Sequence, residues 1–270
     1  LDYQLPEGTD IRTTAHDLLE VESYVREQPG VAQVTTLAGR GATRFMLTYD
    51  PHQPDPSYGQ LMIRMDDRDD IPALTQSLRK TLGERYPDAQ IRTKRIVFGP
   101  PSDARIEIRF SGHSPDTLRA LGDKAIAILQ KNGDIIDIRQ NWRNKELTIR
   151  PVFNEERARI AGITRADLAR AMRFATDGIK AGTYREGERQ IPIVVRPPNK
   201  ERLDVSRLEA RLVSGSGEAT YVPVTQIVDR FEFAPQDTVI RRRDRIRTLT
   251  VQAQPRGEIT ASQARNEVLE

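Results

Sequence analysis

Three histidines, His16, His52 and His113, lie in three separate segments with no His-x-His or His-x3-His spacing. A metal site built from them would need distant pieces to converge, so none is expected and no cofactor is called for. Ser111-Gly-His113-Ser-Pro-Asp116 holds the letters of a hydrolytic triad but lacks the G-x-S-x-G elbow, and Ser114 and Asp116 fit a helix start instead. An enzyme is therefore not expected. Gly39-Arg-Gly41-Ala-Thr43-Arg-Phe45 has the glycines of a phosphate cradle. It lacks the Lys-Ser/Thr of a P-loop and is followed by β-type text, so it reads as a flexible connection between strands. Arg241-Arg-Arg-Asp-Arg-Ile-Arg247 sits in alternating text, where alternate side chains of a strand share a face. Without the aromatic strand that stacks bases, a solvated face or a protein interface is expected there, not nucleic acid. Met46, Met62, Met65 and Met172 are too scattered for a soft-metal cluster. Trp142, the only tryptophan, follows Arg139-Gln-Asn141 at a strand end. An aromatic beside a cation and an amide suits a groove for amphipathic ligands; a structural Trp is the equal alternative.

The elements that must position these residues belong to a chain of 270 residues with net charge +3, 30% charged and 37% hydrophobic residues. That length predicts two or three packed units. Lys occurs only at 80, 94, 124, 131, 145, 180 and 200, so the bases are mostly Arg, interspersed with acids. Cysteine is absent, which excludes disulfides and thiolate chemistry. No apolar run is long enough to span a membrane, and the N-terminal Leu with no signal-peptide pattern reads as an excised piece of something longer.

Hydrophobic periodicity predicts strands at Leu1–Leu5, Val31–Leu37, Arg44–Tyr49, Gln60–Met65 and Gln90–Phe98. Between them fall helices from Thr9 or Asp10 to Val25 and from Ile71 to Leu82. Gly99-Pro-Pro-Ser-Asp103 is the clearest boundary. The opening pattern then returns: a strand at Ile106–Phe110, a helix over Ser114–Lys131 and a strand at Ile135–Arg139. Gly8 to Gly30 and Gly112 to Gly133 enclose segments of nearly equal length. A duplicated βαβ unit fits the ferredoxin-like fold, in which each helix covers one face of a small sheet. Lys145–Pro151 adds a strand. Helices over Asn154–Ala161 and Thr164–Thr176, a hairpin around Glu186-Gly187, and turns at Gly215-Ser-Gly217 and Val222-Pro223 form an insertion. Val239–Gln254 resumes the strands and Thr260–Glu270 starts a helix. The fold class is thus α+β: one ferredoxin-like unit over 1–98, a second, discontinuous one over 104–152 plus 236–270, and an inserted α+β subdomain over 153–235.

Taken in order, Leu5-Pro-Glu-Gly-Thr9, Pro29-Gly-Val31, the Gly39–Phe45 loop with Tyr49-Asp-Pro51, and Gly99-Pro-Pro101 form one series. It continues with Asn154-Glu-Glu-Arg-Ala158, Ala161-Gly-Ile163, Gly182-Thr-Tyr-Arg-Glu-Gly187 and Val222-Pro223. The series resembles the second large periplasmic loop of resistance–nodulation–division (RND) efflux pumps over essentially the whole chain. The resemblance implies the periplasmic part of an inner-membrane, proton-driven antiporter. It implies a homotrimer in the full-length pump, working with a periplasmic adaptor protein and an outer-membrane channel, whose partners are otherwise amphipathic small molecules. It also implies two porter subdomains with an inserted docking subdomain, and a substrate cleft gated by a glycine-rich switch loop. Gly39, Arg40, Gly41, Arg44 and Phe45 match that loop. Arg139 and Asn141 match a pocket-lining strand end beside Trp142, and Arg92, Thr248 and Thr250 match neighbouring lining strands. A metal-ion exporter of the family is set aside, because the methionines do not cluster and cysteine is absent. The alternative is a free-standing binding module of ferredoxin-like units.

Overall fold

The computed structural model describes residues 1–47, 49–96, 104–198, 202, 206–215, 221–256 and 263. The chain divides into two compact units, Leu1–Glu146 with Pro235–Glu270, and Leu147–Ala234. The expected boundary Gly99–Asp103, the turn at Ser216-Gly217 and, apart from Gln263, the helix over Thr260–Glu270 lie outside the described residues.

The first unit opens with β1 (Asp2–Gln4), α1 (Ile11–Arg26), β2 (Val31–Ala38), β3 (Tyr58–Met65), α2 (Ile71–Arg85) and β4 (Gln90–Arg92). The sheet order is β2-β3-β1-β4, antiparallel throughout. This is the split βαβ arrangement in which β3 enters between the two parallel strands of a βαβ unit. Asp10 caps α1 by accepting from the Arg12 N–H at 2.8 Å, which satisfies one of the unpaired N–H groups of the first turn. Leu18, Val21 and Val25 then fall on one face of α1, and Leu78 and Leu82 on one face of α2. Both faces pack with Tyr3, Leu5, Val34 and Leu61 of the sheet side into one core. Among the described residues of Arg44–Tyr49 the expected strand does not form. β3 already has β2 and β1 on its two edges, and Tyr49 N–H turns back to the Met46 carbonyl at 3.2 Å. Of the strand expected over Gln90–Phe98, β4 covers Gln90–Arg92, and Val97 and Phe98 lie outside the described residues.

A second split βαβ follows: β5 (Ile106–Gly112), α3 (Pro115–Leu129) and β6 (Ile135–Gln140), with β14 (Ile246–Pro255) inserted between β5 and β6 and antiparallel to both. Ser114 caps α3. Leu118, Ala125 and Leu129 pack on Ile135, Trp142, Leu249, Val251 and Ala253. The arginine run is not one straight strand. Arg242–Arg243 (β13) folds back on β14 through Asp244 and Arg245, both at positive φ (50° and 67°), so the run is a two-residue hairpin turn.

The second unit begins at Leu147, earlier than the 153 expected from composition, because β7 (Glu146–Phe153) pairs with β12 (Val228–Gln236). Asn154 caps α4 (Glu155–Ile160), and a reciprocal capping box between Thr164 and Asp167 starts α5 (Arg165–Thr176). β8 (Ile179–Glu186) and β9 (Arg189–Val195) form the expected hairpin. Then come α6 (Ser206–Glu209), the ribbon of β10 (Leu212–Ser214) and β11 (Tyr221–Pro223), and α7 (Val224–Ile227). Ala158, Ile163, Leu168, Val213, Val222 and Val224 make this unit's core. No helix among the described residues is long and apolar enough to cross a membrane.

Candidate functional site

The loop joining β2 to β3 is tied at its neck and open at its tip. Gly39, at φ 76°, donates its N–H to the Tyr58 carbonyl at 2.7 Å and accepts from the Asp55 N–H at 2.9 Å. A side chain at Gly41 would put its Cβ 3.0 Å from the His52 nitrogen and 3.1 Å from the Tyr49 hydroxyl, so glycine lets the two limbs approach without displacing either. Ala42 N–H and the Tyr49 hydroxyl both donate to Gln60 Oε1, at 2.8 and 2.9 Å. His52 stacks on Tyr58 with ring centroids 3.8 Å apart. Beyond this neck, Arg40, Arg44 and Phe45 are exposed and Leu47 is 89% exposed. Arg44 pairs with Asp50 at 3.1 Å, and Phe45 lies against Tyr49.

The neck rests on a buried carboxylate. Asp2 accepts from Tyr58 Oη at 2.8 Å and Gln60 Nε2 at 3.2 Å, and faces Arg92 and Lys94 at 3.2 and 3.5 Å. Burial pushes the Asp2 carboxyl up, but the two cations and the Tyr58 hydrogen bond outweigh it and hold it below the usual carboxylate range. Burial, with Asp2 beside it, raises the Tyr58 hydroxyl. Arg92, expected to line a pocket, is thus committed to neutralising Asp2.

On the second fold, strand pairing brings Asn141, Trp142, Thr248 and Thr250 together. Asn141 extends the β6 edge beyond the ladder: its N–H donates to the Thr250 carbonyl at 3.0 Å, and its Oδ1 accepts from Thr250 N–H at 2.8 Å. The Thr248 and Ser111 hydroxyls are 2.9 Å apart, and both threonines are buried. Trp142, expected either beside a groove or as a structural residue, packs in the core of this fold. It is 0% exposed, its indole N–H donates to the Thr248 carbonyl at 2.9 Å, and Arg119 covers its ring. No surface of the ring is left for a ligand. Arg139 stays half-buried on β6, donating to the Asp137 carbonyl at 3.2 Å.

Two contacts that the sequence reading missed join the folds. Arg143 reaches from the end of β6 into the first fold. There it pairs with Glu7 and with Asp55 at 2.5 Å, and donates to the Leu5 carbonyl at 2.6 Å and to Ser57 Oγ at 3.2 Å. Arg79 of α2 meets Asp137 at 2.9 Å and also donates to Thr93 Oγ1. Asp137 and Arg143 both hold positive φ, 55° and 58°. Asp137 lies opposite a register shift between Gln252 and Gln254, a bulge that re-aims its side chain off the ladder. Nothing in the sequence marks a left-handed Asp or Arg; the polar cluster Asn141-Trp-Arg-Asn144 after a strand was the available signal.

Burial raises the Glu7 carboxyl, Arg143 pulls it back only in part, and Asp55 and Glu146 add to the rise. At Asp55 burial is outweighed by hydrogen bonds from Ser57 and by Arg143, which leave it below its usual range. Among the described residues no three of His, Cys, Asp and Glu converge as a metal ligand set.

The described residues thus form two ferredoxin-like folds in one compact unit, the second interrupted by an inserted α+β unit. The sequence profile of the AcrB/AcrD/AcrF family matches residues 1–270, and the chain belongs to that family of RND transporters. It is 25% identical over 269 residues to the cation efflux system protein CzcA of Alcaligenes sp. (strain CT14), covering 93% of this chain and 24% of that protein. The nickel and cobalt resistance protein CnrA of Cupriavidus metallidurans is 26% identical over 268 residues, with 93% and 24% covered. A crystal structure of a heavy metal efflux pump superposes with a TM-score of 0.77 at 17% identity, covering 99% of this chain and 28% of that one. The chain therefore spans about a quarter of the length of these relatives.

Proposed function

We propose that this chain is the second periplasmic segment of an RND exporter. In this reading residues 1–98 and 104–152 plus 236–270 are its two porter subdomains, and the inserted 153–235 its docking subdomain. The carrying observation is the pair of split βαβ folds, clasped by Arg143 and Arg79–Asp137, with a tethered loop that leaves its tip open. Arg139 and the loop residues Gly39, Arg40, Gly41, Arg44 and Phe45 lie along the cargo path in this reading, and motion of the tip admits cargo. The full-length protein works as a trimeric proton antiporter with an adaptor and an outer-membrane channel.

For cargo, the relatives' names favour a metal cation, the choice set aside on the sequence alone. The described residues carry no complete cation ligand set, so the rest of the polypeptide would complete one. A second reading, export of amphipathic compounds, is favoured by the exposed apolar tip, Phe45 at 48% and Leu47 at 89% exposed. The test is expression of the full-length gene in a host stripped of its own exporters. Tolerance to zinc, cobalt, nickel and cadmium salts is then compared with tolerance to cationic and neutral amphiphiles. Raised metal tolerance supports the first reading. Raised amphiphile tolerance that Phe45→Ser abolishes supports the second. No change in either, with the protein present in the membrane, overturns the exporter reading.

A further inference from the structure

The inserted unit holds a cavity of about 470 Å³ between α5 and the β7–β12 ribbon. Ile149 and Phe153, which share one face of β7, and Phe231 of β12 form one wall. Leu168 and Met172 of α5 form the other, joined by Leu208 of α6. Close-packed interiors hold few voids larger than a water molecule, and this one has the size and apolar walls of a ligand site. Phe153, Met172 and Phe231 touch the unit's core yet stay half-buried, so apolar surface faces the cavity instead of other side chains.

The rim of the cavity is cationic. Along α5 the lining residues recur every three or four positions from Arg165 through Arg173 to Thr176, so both guanidiniums stand on the cavity side. Arg165 lies over the Phe153 ring, 5.1 Å from its centroid, and donates Nε to Glu155 at 2.9 Å. That contact fixes the group at the mouth and offsets its charge. Arg173 stands about two turns further along the helix. Like several exposed arginines it has no ion pair among the described residues; its place on the cavity wall is what sets it apart and leaves the rim net positive. Arg202 donates Nη1 to the Thr176 carbonyl at 3.1 Å, which sets a third guanidinium beside the last lining residue of α5. Among the described residues no carboxylate lines the cavity, and Asp167 on the same helix is locked into its capping box.

We propose that this cavity binds a single-chain amphiphile with a carboxylate head, of the medium-chain fatty acid class. The tail lies between α5 and the β7–β12 ribbon, and the head meets Arg165 and Arg173 at the rim. Burial of the tail supplies most of the affinity, about fourfold per methylene. The planar fork of Arg matches the two oxygens of a carboxylate, whereas a cationic head would meet like charge and a neutral one would gain tail burial alone. The cavity lies wholly within the inserted unit and shares no residue with the proposed cargo path, so the inference goes beyond the exporter reading and stands whichever cargo is carried.

The test is calorimetric titration of the whole 270-residue chain with decanoate, below its micelle concentration and at about 0.15 M ionic strength. One saturable site is expected, tightening about tenfold or more from octanoate to decanoate. Decanoate is expected to bind about tenfold more tightly than decanol or decyltrimethylammonium. Arg165→Gln/Arg173→Gln is expected to weaken decanoate about tenfold or more while leaving decanol within about twofold. The charge-matched control Arg159→Gln/Arg185→Gln, on exposed positions that do not line the cavity, is expected to change decanoate by less than about twofold. Ala169→Phe separates binding from folding: it fills the mouth from an exposed helix position, so the thermal melt holds while decanoate binding is lost. Absence of a saturable site, equal affinity for decanoate and decyltrimethylammonium, equal effects of the two double variants, or undiminished binding by Ala169→Phe overturns the proposal. So does decyl phosphate binding more tightly than decanoate through the same two arginines, which would assign the rim to phosphate heads.

Discussion

Replacing Arg143 tests the clasp between the two folds most directly. The guanidinium is 21% exposed, and Glu7 and Asp55 are 14% and 15% exposed, so its loss strands two carboxylates largely out of water. Removing one partner of a buried ion pair costs about 3–5 kcal/mol, and the residual exposure places Arg143→Ala near the lower end. The backbone makes a second, opposing contribution. At φ 58° an Ala keeps the left-handed strain of about 1–2 kcal/mol, which Gly sheds, while Gly gives back about 0.4–1 kcal/mol through a freer unfolded chain. Arg143→Gly is therefore expected to be about 0.5–1 kcal/mol more stable than Arg143→Ala. The assay is urea unfolding followed by Trp142 emission, since the only tryptophan is the neighbouring residue and wholly buried.

The same variant carries a pH signature. Glu7 titrates above its ordinary 4.5 in the folded protein, so its share of stability is present at low pH and is lost as pH rises from 4.5 through the raised value. Asp55, held below its ordinary 3.8, contributes stability above 3.8 that is lost as pH falls through its lowered value. Without Arg143 both carboxyls move upward, and the cost of Arg143→Ala is expected to be larger at about pH 8 than at about pH 5. A loss below about 1 kcal/mol, Ala matching Gly, or a pH-independent cost would refute the clasp.

Three further outcomes follow from single contacts. Gly39→Ala is expected to cost about 1–2 kcal/mol in a thermal melt, because φ is 76° and the new Cβ would stand 2.6 Å from Ile11 Cδ1; an unchanged melt would place no strain at the loop's neck. Asp137→Asn is expected to keep the bulge, since Asn tolerates positive φ, whereas Asp137→Val loses about 1–3 kcal/mol; equal losses in urea unfolding would count against the left-handed geometry. Trp142 emission is expected to be blue-shifted and unmoved by added amphiphiles, and Trp142→Phe to cost about 1–3 kcal/mol by stranding the Thr248 carbonyl; a ligand-dependent shift would restore Trp142 to the cargo path.

The first five helices were legible in the sequence because caps and periodicity are local, whereas the four-residue α6 and α7 were not. Asp10, Ser114, Asn154 and Thr164 each cap the helix that follows, and the apolar spacing of Leu18, Val21 and Val25 marks the buried face whatever lies beneath it. The β8–β9 hairpin was likewise marked by its own Glu186-Gly187 turn. The insertion of β14 between β5 and β6 joins residues more than a hundred positions apart, and side-chain patterns alone do not choose such a partner. The loop text at Arg44–Tyr49 alternates like a strand, yet among the described residues no sheet edge receives it. Trp142 reads equally as ligand platform or core until burial decides, and Arg92 as free cation or counter-ion until Asp2 is found beside it. The clasp was least legible of all. Arg143, Glu7 and Asp55 are ordinary charged residues in sequence, and only the tertiary fold closes them into one low-dielectric contact where their charges count.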